Sequence, residues 1–153
     1  MGNWVKTHRV SGEVFLATGS SLTGDLHLLP ISQFRNGAET PLELLNRGDR
    51  FFAVSLPEGE VRLVAKDQTV AVVFGAGAPD VGPDAIPMTH QVVLEVLMAD
   101  GRSYKGEVIE HLPPNYSRPM DLLNMQDRFF ALDAEGSTHY LNRSHVLHVR
   151  PFD

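Results

Sequence analysis

The sequence predicts an all-β protein in which one five-stranded antiparallel barrel occurs twice in tandem. Two observations support this prediction: a long internal repeat, and apolar residues that recur at every second position between turn sequences. Five short strands in so few residues favour a small barrel. The predicted boundaries are residues 1–74 for the first barrel, 75–90 for a linker rich in Gly, Pro and Ala, and 91–153 for the second barrel.

The internal repeat is clearest over fourteen residues. Segment 41–54, PLELLNRGDRFFAV, aligns with segment 119–132, PMDLLNMQDRFFAL, and nine of the fourteen pairs are identical. Farther along the chain, Lys66 aligns with Arg143 in the same order. Matches that keep their order over most of the chain indicate two copies of one unit.

The pattern within each copy predicts five strands and one short helix. Alternating apolar residues from Val92 to Met98 are followed by a turn at Asp100-Gly101. A proline followed by an apolar run, as in residues 41–46 and 119–124, predicts a short helix between the second and third strands. The predicted strands are 12–18, 22–29, 50–56, 61–65 and 69–74 in the first copy, and 92–99, 103–111, 128–133, 138–142 and 145–150 in the second.

Two pairs of adjacent phenylalanines are predicted to lie in the core: Phe51 with Phe52, and Phe129 with Phe130. Successive side chains of a strand point to opposite faces of the sheet, so each pair makes both faces apolar. One face fills the barrel, and the other must be covered by the helical insert, the sister copy or another chain. We therefore expect the two copies to pack on each other or to assemble further.

Composition and charge narrow the functional classes. With 42% hydrophobic residues, a net charge of −6 and no cysteine, the chain is not of a disordered, collagen-like or membrane-spanning type, and it has no disulfide or thiolate chemistry. Residues 1–76 carry seven basic and eight acidic side chains and residues 77–153 carry six and eleven, so the net charges are −1 and −5. This balance argues against a general polyanion binder. The first residues lack the apolar run of a signal peptide, so a cytoplasmic location is expected.

Both copies resemble the Sm/LSm family of SH3-like small barrels. Residues 92–108, in which two strands meet at Gly101 and Gly106 bends the return strand, are similar to the first half of the Sm fold. Residues 129–132 followed by 141–151 are similar to its second half, which includes the short closing strand. The resemblance implies subunits that form rings and, in that family, bind single-stranded RNA. The family's Asp and Asn in the loop before the third strand are replaced here by the helical insert.

The resemblance makes Lys66 and Arg143 the best candidates for contact with RNA or another anion. They occupy the turns between the fourth and fifth strands, which in Sm-like rings face the central pore. The alternative for each is an ordinary solvated turn residue. Arg50 and Arg128, just before the third strands, are further candidates for an anion or ribose site.

A structural interpretation is preferred for the residues around the insert. The repeated Asp-Arg pairs can brace the loop through a capping carboxylate or through an ion pair across the copies. The asparagines that follow each apolar run suit a helix end or a left-handed turn, with recognition of a nucleobase as the less favoured alternative. The predicted bracing residues are Asp49, Asp127, Asn46 and Asn124.

No pattern indicates catalysis. The seven histidines include His145 and His148, which strand geometry places on opposite faces, so a metal site is not expected. No Ser, His and Asp arrangement suggests a nucleophile, and no phosphate-binding glycine loop is present. We therefore expect no cofactor and no enzymatic activity.

The sequence favours a non-catalytic binding or scaffolding module that acts through protein–protein association and self-assembly. The expected partners are further copies of the chain, arranged as a ring of pseudo-dimers, and an unidentified protein. Exposed strands four and five are the expected contact surfaces. Single-stranded RNA binding is the alternative function, and a small-ligand pocket under the helical insert is a third.

Overall fold

The computed structural model describes residues 8–33, 36–75, 92–109, 118–134 and 136–152. Within these residues the chain forms ten antiparallel strands in one sheet, two short α-helices and two 3₁₀-helices (Lys66–Gln68 and Arg143–His145), which confirms the all-β prediction. Apart from Gly75, the predicted linker lies outside the described residues. The strands are β1 (His8–Leu16), β2 (Ser21–Leu28), β3 (Phe51–Ser55), β4 (Val61–Ala65), β5 (Thr69–Phe74), β6 (Val93–Met98), β7 (Ser103–Val108), β8 (Phe129–Ala134), β9 (Ser137–Asn142) and β10 (Val146–Phe152), and the helices are α1 (Pro41–Asn46) and α2 (Pro119–Leu123).

The strand order shows the duplication directly. It runs β10-β6-β7-β8-β9-β5-β1-β2-β3-β4, so each copy arranges its own five strands in the order fifth, first, second, third, fourth. The two copies meet where β5 pairs with β9, in a register from Ala71 opposite Leu141 to Phe74 opposite Thr138. Strands β4 and β10 are the two edges of the continuous sheet. Closure of each five-stranded group into a barrel stays a prediction.

Each α-helix begins at a proline, as the sequence predicts, but only α1 has a complete cap. The Thr40 hydroxyl accepts a hydrogen bond from the Glu43 amide at 3.3 Å, and the Glu43 carboxylate accepts one from the Thr40 amide at 2.9 Å. This reciprocal pair satisfies two amides that a helix start leaves without intrahelical partners. At α2 the capping position is Arg118, which makes no side-chain cap bond.

Two equivalent glycines allow the second and third strands of each copy to cross closely. A side-chain carbon at Gly24 would overlap the Ser55 carbonyl oxygen, and one at Gly106 would overlap the Asp133 carbonyl oxygen. Because these obstacles are backbone atoms, they cannot move aside without displacing a strand. The sharp bend predicted at Gly106 therefore depends on the absence of a side chain.

The two hydrophobic cores share residues across the copies. Phe129 and Tyr140 of the second copy belong to the core of the first, whereas Val70 and Ala71 of the first copy belong to the core of the second. Neighbouring side chains of one strand point to opposite faces, so Phe129 enters one core and Phe130 the other. Each core is thus completed by the sister copy.

The prediction that Phe51 lies in the core is wrong for the single chain. Phe52, Phe129 and Phe130 are buried, whereas Phe51 is 56% exposed. Phe51 and Phe129 are equivalent in the repeat, but Phe129 is covered by the first copy at the β5–β9 junction. Phe51 lies beside edge strand β4, where none of the residues that the structure describes supplies a corresponding cover.

Candidate functional site

The junction of the two copies, here called the inner joint, consists of the β5–β9 pairing and the side chains that cross it. Asn142 is fully buried there. Its side-chain amide donates to the Lys66 carbonyl at 3.1 Å and to the Thr69 carbonyl at 2.9 Å, both in the first copy. Its side-chain oxygen accepts from the Ser144 amide at 3.0 Å. One side chain thus fixes the turns before β5 and β10 against each other.

Asn46 makes a second polar contact across the inner joint. Its side-chain oxygen accepts from the Phe129 amide at 2.8 Å, and its side-chain amide donates to the Phe129 carbonyl at 3.2 Å. The equivalent Asn124 instead donates to the Met120 carbonyl at 2.9 Å, at the end of its own helix. Asn124 caps the end of α2 with a φ of −91°, so of the two predicted alternatives it adopts the helix end and not the left-handed turn.

Asp67 of the first copy contacts two side chains of the second copy, Arg128 and His145. The Arg128 guanidinium lies 3.3 Å from its carboxylate, so Arg128 forms an ion pair across the copies, but its partner is neither of the predicted bracing carboxylates, Asp49 and Asp127. The His145 ring nitrogen lies 2.6 Å from the Asp67 carbonyl oxygen. The Asp67 side chain is 74% exposed, so the ion pair contributes orientation more than stability.

Lys66 is fully buried, and the expectation that it is either a pore-facing cation or a solvated turn residue is wrong. Its ammonium group donates to the Leu44 carbonyl at 2.8 Å and to the Arg47 carbonyl at 3.1 Å, at the end of α1. Burial, and secondarily the nearby Arg47 charge, lower the pKa of Lys66 to about 8. The residue therefore holds the helical insert against the sheet.

Arg143 has the equivalent structural contacts in the second copy and is not fully buried. Its guanidinium donates to the Leu122 carbonyl at 2.8 Å, the Asp127 carbonyl at 2.7 Å and the Phe129 carbonyl at 3.2 Å. Leu122 aligns with Leu44 in the repeat, so both basic turn residues bind the same carbonyl of the inserted helix. A cation at this turn satisfies carbonyls that a helix end leaves without partners.

The remaining predicted site residues, Asp49, Asp127 and Arg50, differ from one another in their contacts. Asp49 forms an ion pair with Arg47 at 3.6 Å, and it is mostly exposed. Asp127 contributes its backbone carbonyl to Arg143. Arg50 is exposed, and its carbonyl accepts from the Lys66 amide at 2.9 Å. The four predicted anion-binding cations are therefore not gathered into one site.

A polar recess of about 390 Å³ lies beside two of these cations in the second copy. Arg128 and Arg143 form part of its wall, and Lys66 and Arg50 do not line it. It is called the Arg128 recess below. Its full lining is Leu123, Asn124, Met125, Gln126, Asp127, Arg128, Arg143 and Ser144.

The two edges of the sheet carry exposed apolar side chains. On and beside β4, Phe51, Val61 and Leu63 are exposed, with Leu63 at 73%, and on β10 Leu147 is 60% exposed. In the repeat, β4 is the equivalent of β9 and β10 is the equivalent of β5. The outer sides of β4 and β10, with which no described strand pairs, are thus the same two surfaces that form the inner joint.

Sequence reasoning missed Asn142, although the repeat contains a signal for it. A single asparagine at the end of a strand belongs to no sequence motif that would indicate a function. Aligning the copies places Asn142 opposite Ala65, at a turn where the neighbouring basic residue is retained. A polar residue that one copy has and the other lacks marks a contact made by only one of them.

In the parts of the chain that the structure describes, no three His, Asp or Glu side chains are grouped to hold a metal ion. In the same parts, no helix has the length and apolar character needed to cross a membrane. The chain matches no protein-family model, no curated protein and no solved structure.

The buried ammonium of Lys66 should give the protein an unusual alkaline pH dependence. The folded chain loses this proton near pH 8, whereas the unfolded chain keeps it to about 10.5, so unfolding takes up a proton in that window and stability rises with pH. From pH 7 to roughly 9.5, the free energy of unfolding should rise by about 1–2 kcal/mol more than in Lys66→Met. Urea unfolding of both proteins across this range measures the difference, and parallel pH profiles would contradict the assignment.

Proposed function

We propose that the protein is a non-catalytic scaffolding module that associates with other copies of itself, and through them with a protein partner, by its two edge strands, β4 and β10. One observation carries the proposal. The residues exposed on β4 and β10 are the repeat equivalents of residues that the inner joint buries. A surface that is buried in one copy and exposed in the other favours an intermolecular contact of the same kind.

Individual equivalences support this reading. Phe51 corresponds to buried Phe129, and Leu63 corresponds to buried Tyr140. On the opposite edge, exposed Leu147 corresponds to buried Val70. The unpaired backbone of an edge strand can accept a further strand, and apolar side chains add the stabilisation that such a pairing needs.

The proposal includes the barrel architecture of each copy and the way in which chains are arranged. Each five-stranded group is taken as an Sm-like small barrel, and the chain is a pseudo-dimer of two barrels. Because β4 and β10 are different surfaces, association through them is head to tail. Such an arrangement forms a ring if the rotation between chains closes and a filament if it does not.

A charge on edge strand β4 should prevent self-association. Leu63→Lys removes an exposed apolar group, so the monomer should keep its stability within about 0.5 kcal/mol. Assemblies larger than one chain should be lost, because the lysine would be buried without a partner. Sedimentation velocity over a range of concentrations measures this. Ile31→Lys, at an equally exposed apolar position outside the strands, is the matched control and should associate like the parent.

A second candidate function, single-stranded RNA binding, is favoured by the Arg128 recess. The recess combines two guanidinium groups with the side-chain amides of Asn124 and Gln126, which suit phosphate and nucleobase edges. Its cations are already engaged by Asp67 and by backbone carbonyls, and the net charge of the second copy is negative. Self-association is therefore the preferred function.

RNA binding at the recess predicts a residue-specific loss of affinity. Arg128→Ala should weaken the binding of fluorescent oligo-U at low salt and should reduce the slope of log affinity against log salt by about one. Arg62→Ala, which removes the same charge from an edge strand outside the recess, is the control. Anisotropy titration measures both, and equal affinities for the two variants and the parent would eliminate the recess as an RNA site.

A further inference from the structure

We propose that the contact between chains, here called the outer joint, is a weaker version of the inner joint, so that chains assemble reversibly while each chain keeps its two copies together. This inference rests on the proposed self-association and adds which residues set its strength. It follows from comparing four side-chain contacts of the inner joint with the residues that the repeat places at the outer one.

One polar contact is retained at the outer joint. Asn46 holds both backbone groups of Phe129 across the inner joint. The repeat places Asn124 at the Asn46 position and Phe51 at the Phe129 position. In a head-to-tail pair, Asn124 of one chain therefore meets Phe51 of the next. The contact requires Asn124 to leave the Met120 carbonyl, with which it bonds in the single chain.

Two other polar contacts are absent from the outer joint. Asn142, which binds two carbonyls across the inner joint, is replaced by Ala65. Asp67, the carboxylate partner of Arg128, is replaced by Ser144, so that Arg50 of the next chain meets a hydroxyl instead of a charge. The outer joint thus loses two buried hydrogen bonds and one ion pair.

The aromatic contact is also reduced. Phe74 and Tyr140 meet edge to face across the inner joint, with ring centroids 5.5 Å apart. Their equivalents at the outer joint are Pro151 and Leu63, which still bury apolar surface but lack the ring-to-ring interaction. Apolar burial and strand pairing remain, and most of the specific contacts do not.

The difference in strength has a second cause, which is the covalent connection between the copies. Formation of the inner joint is intramolecular and therefore occurs at a high effective concentration. The outer joint must overcome the loss of free translation and rotation of a whole chain with fewer contacts. The chain of two copies is then the permanent unit, and assembly depends on protein concentration.

The test restores two of the missing contacts by placing the side chains of the inner joint at the equivalent positions of the outer joint. Ala65→Asn supplies the amide of Asn142, and Ser144→Asp supplies the carboxylate of Asp67, each at its repeat-equivalent position. The double variant should associate about tenfold more tightly than the parent in sedimentation equilibrium. The part of the gain due to Ser144→Asp should shrink as salt is added, because the pair is exposed. Gln33→Asp, which adds the same charge in an exposed loop outside the strands, should leave association unchanged.

Each outcome decides between the two proposals. A parent that associates, together with a double variant that associates more tightly while Gln33→Asp does not, supports both of them. Association of the parent with no gain in the double variant, or with an equal gain in Gln33→Asp, overturns the inference and leaves self-association standing. A monomeric parent with an associating double variant supports the equivalence of the two joints but overturns self-association of the natural chain. Monomers throughout overturn both.

Discussion

Replacing Phe130 by Ala should lower the free energy of unfolding by about 3–5 kcal/mol. The ring is fully buried in the second core, where it packs with Leu132 and Leu141, and the Arg143 guanidinium lies 5.0 Å from its centre. Truncation removes a large apolar group and leaves a cavity that neighbouring strands cannot fill without breaking their pairing. Urea denaturation followed by circular dichroism measures the loss.

Phe51→Ala is the matched control because it removes the same ring from the same local sequence, DRFFA, at an exposed position in the other copy. Its ring is 56% exposed, so the monomer should lose less than about 1 kcal/mol. The same variant should weaken self-association. A Phe130→Ala protein that unfolds at the parent's midpoint, or a Phe51→Ala monomer that loses as much stability as Phe130→Ala, would contradict the burial pattern.

Replacing Asn142 by Ala should lower the free energy of unfolding by about 1–3 kcal/mol. The change leaves the Lys66 and Thr69 carbonyls without the buried amide that satisfies them, and it removes the acceptor of the Ser144 amide. Because the lost contacts join the two copies, the unfolding transition should also become less cooperative. Calorimetry measures both quantities, through the enthalpy and through its ratio to the van't Hoff value.

Asn124→Ala is the comparison for this second variant. Asn124 is exposed and donates to a single carbonyl of its own helix, so its removal should cost about 0.5–1 kcal/mol and leave the cooperativity unchanged. Equal losses in the two variants would mean that Asn142 does not have a special function at the inner joint. A broadened transition in Asn124→Ala would point to the same conclusion.

Much of the secondary structure could be predicted from the sequence, because strands, turns and prolines leave local patterns. The alternation of apolar residues identified all ten strands, and the proline-led runs identified both helices. The first strand begins at His8, four residues before the predicted start at Gly12. Its early part pairs with β2, and this long-range pairing leaves no apolar alternation in the polar residues His8 and Arg9.

Burial at the joints could not be predicted, because it depends on position in the sheet. Phe51 and Phe129 have the same neighbours in sequence and opposite burial. Lys66 lies in a polar segment, KDQ, which is typical of a solvent-exposed turn. The carbonyls that bind its ammonium group belong to the end of α1, about twenty residues earlier in the chain, and the local sequence does not indicate this contact. Only the three-dimensional pairing of β5 with β9 shows that Phe129 is covered by the other copy and that Phe51 is exposed.

Disulfide trapping tests the head-to-tail association most directly, because the chain contains no cysteine. Val72 and Tyr140 are opposite each other in the inner joint, and their repeat equivalents are Val149 and Leu63. Opposed residues of paired strands are close enough for a disulfide. An oxidised mixture of full-length Leu63→Cys and Val149→Cys should give a disulfide-linked dimer that contains one chain of each kind, and Leu63→Cys alone should form no disulfide-linked dimer. No mixed dimer, or an equally efficient dimer from Leu63→Cys alone, would contradict head-to-tail pairing of the edges.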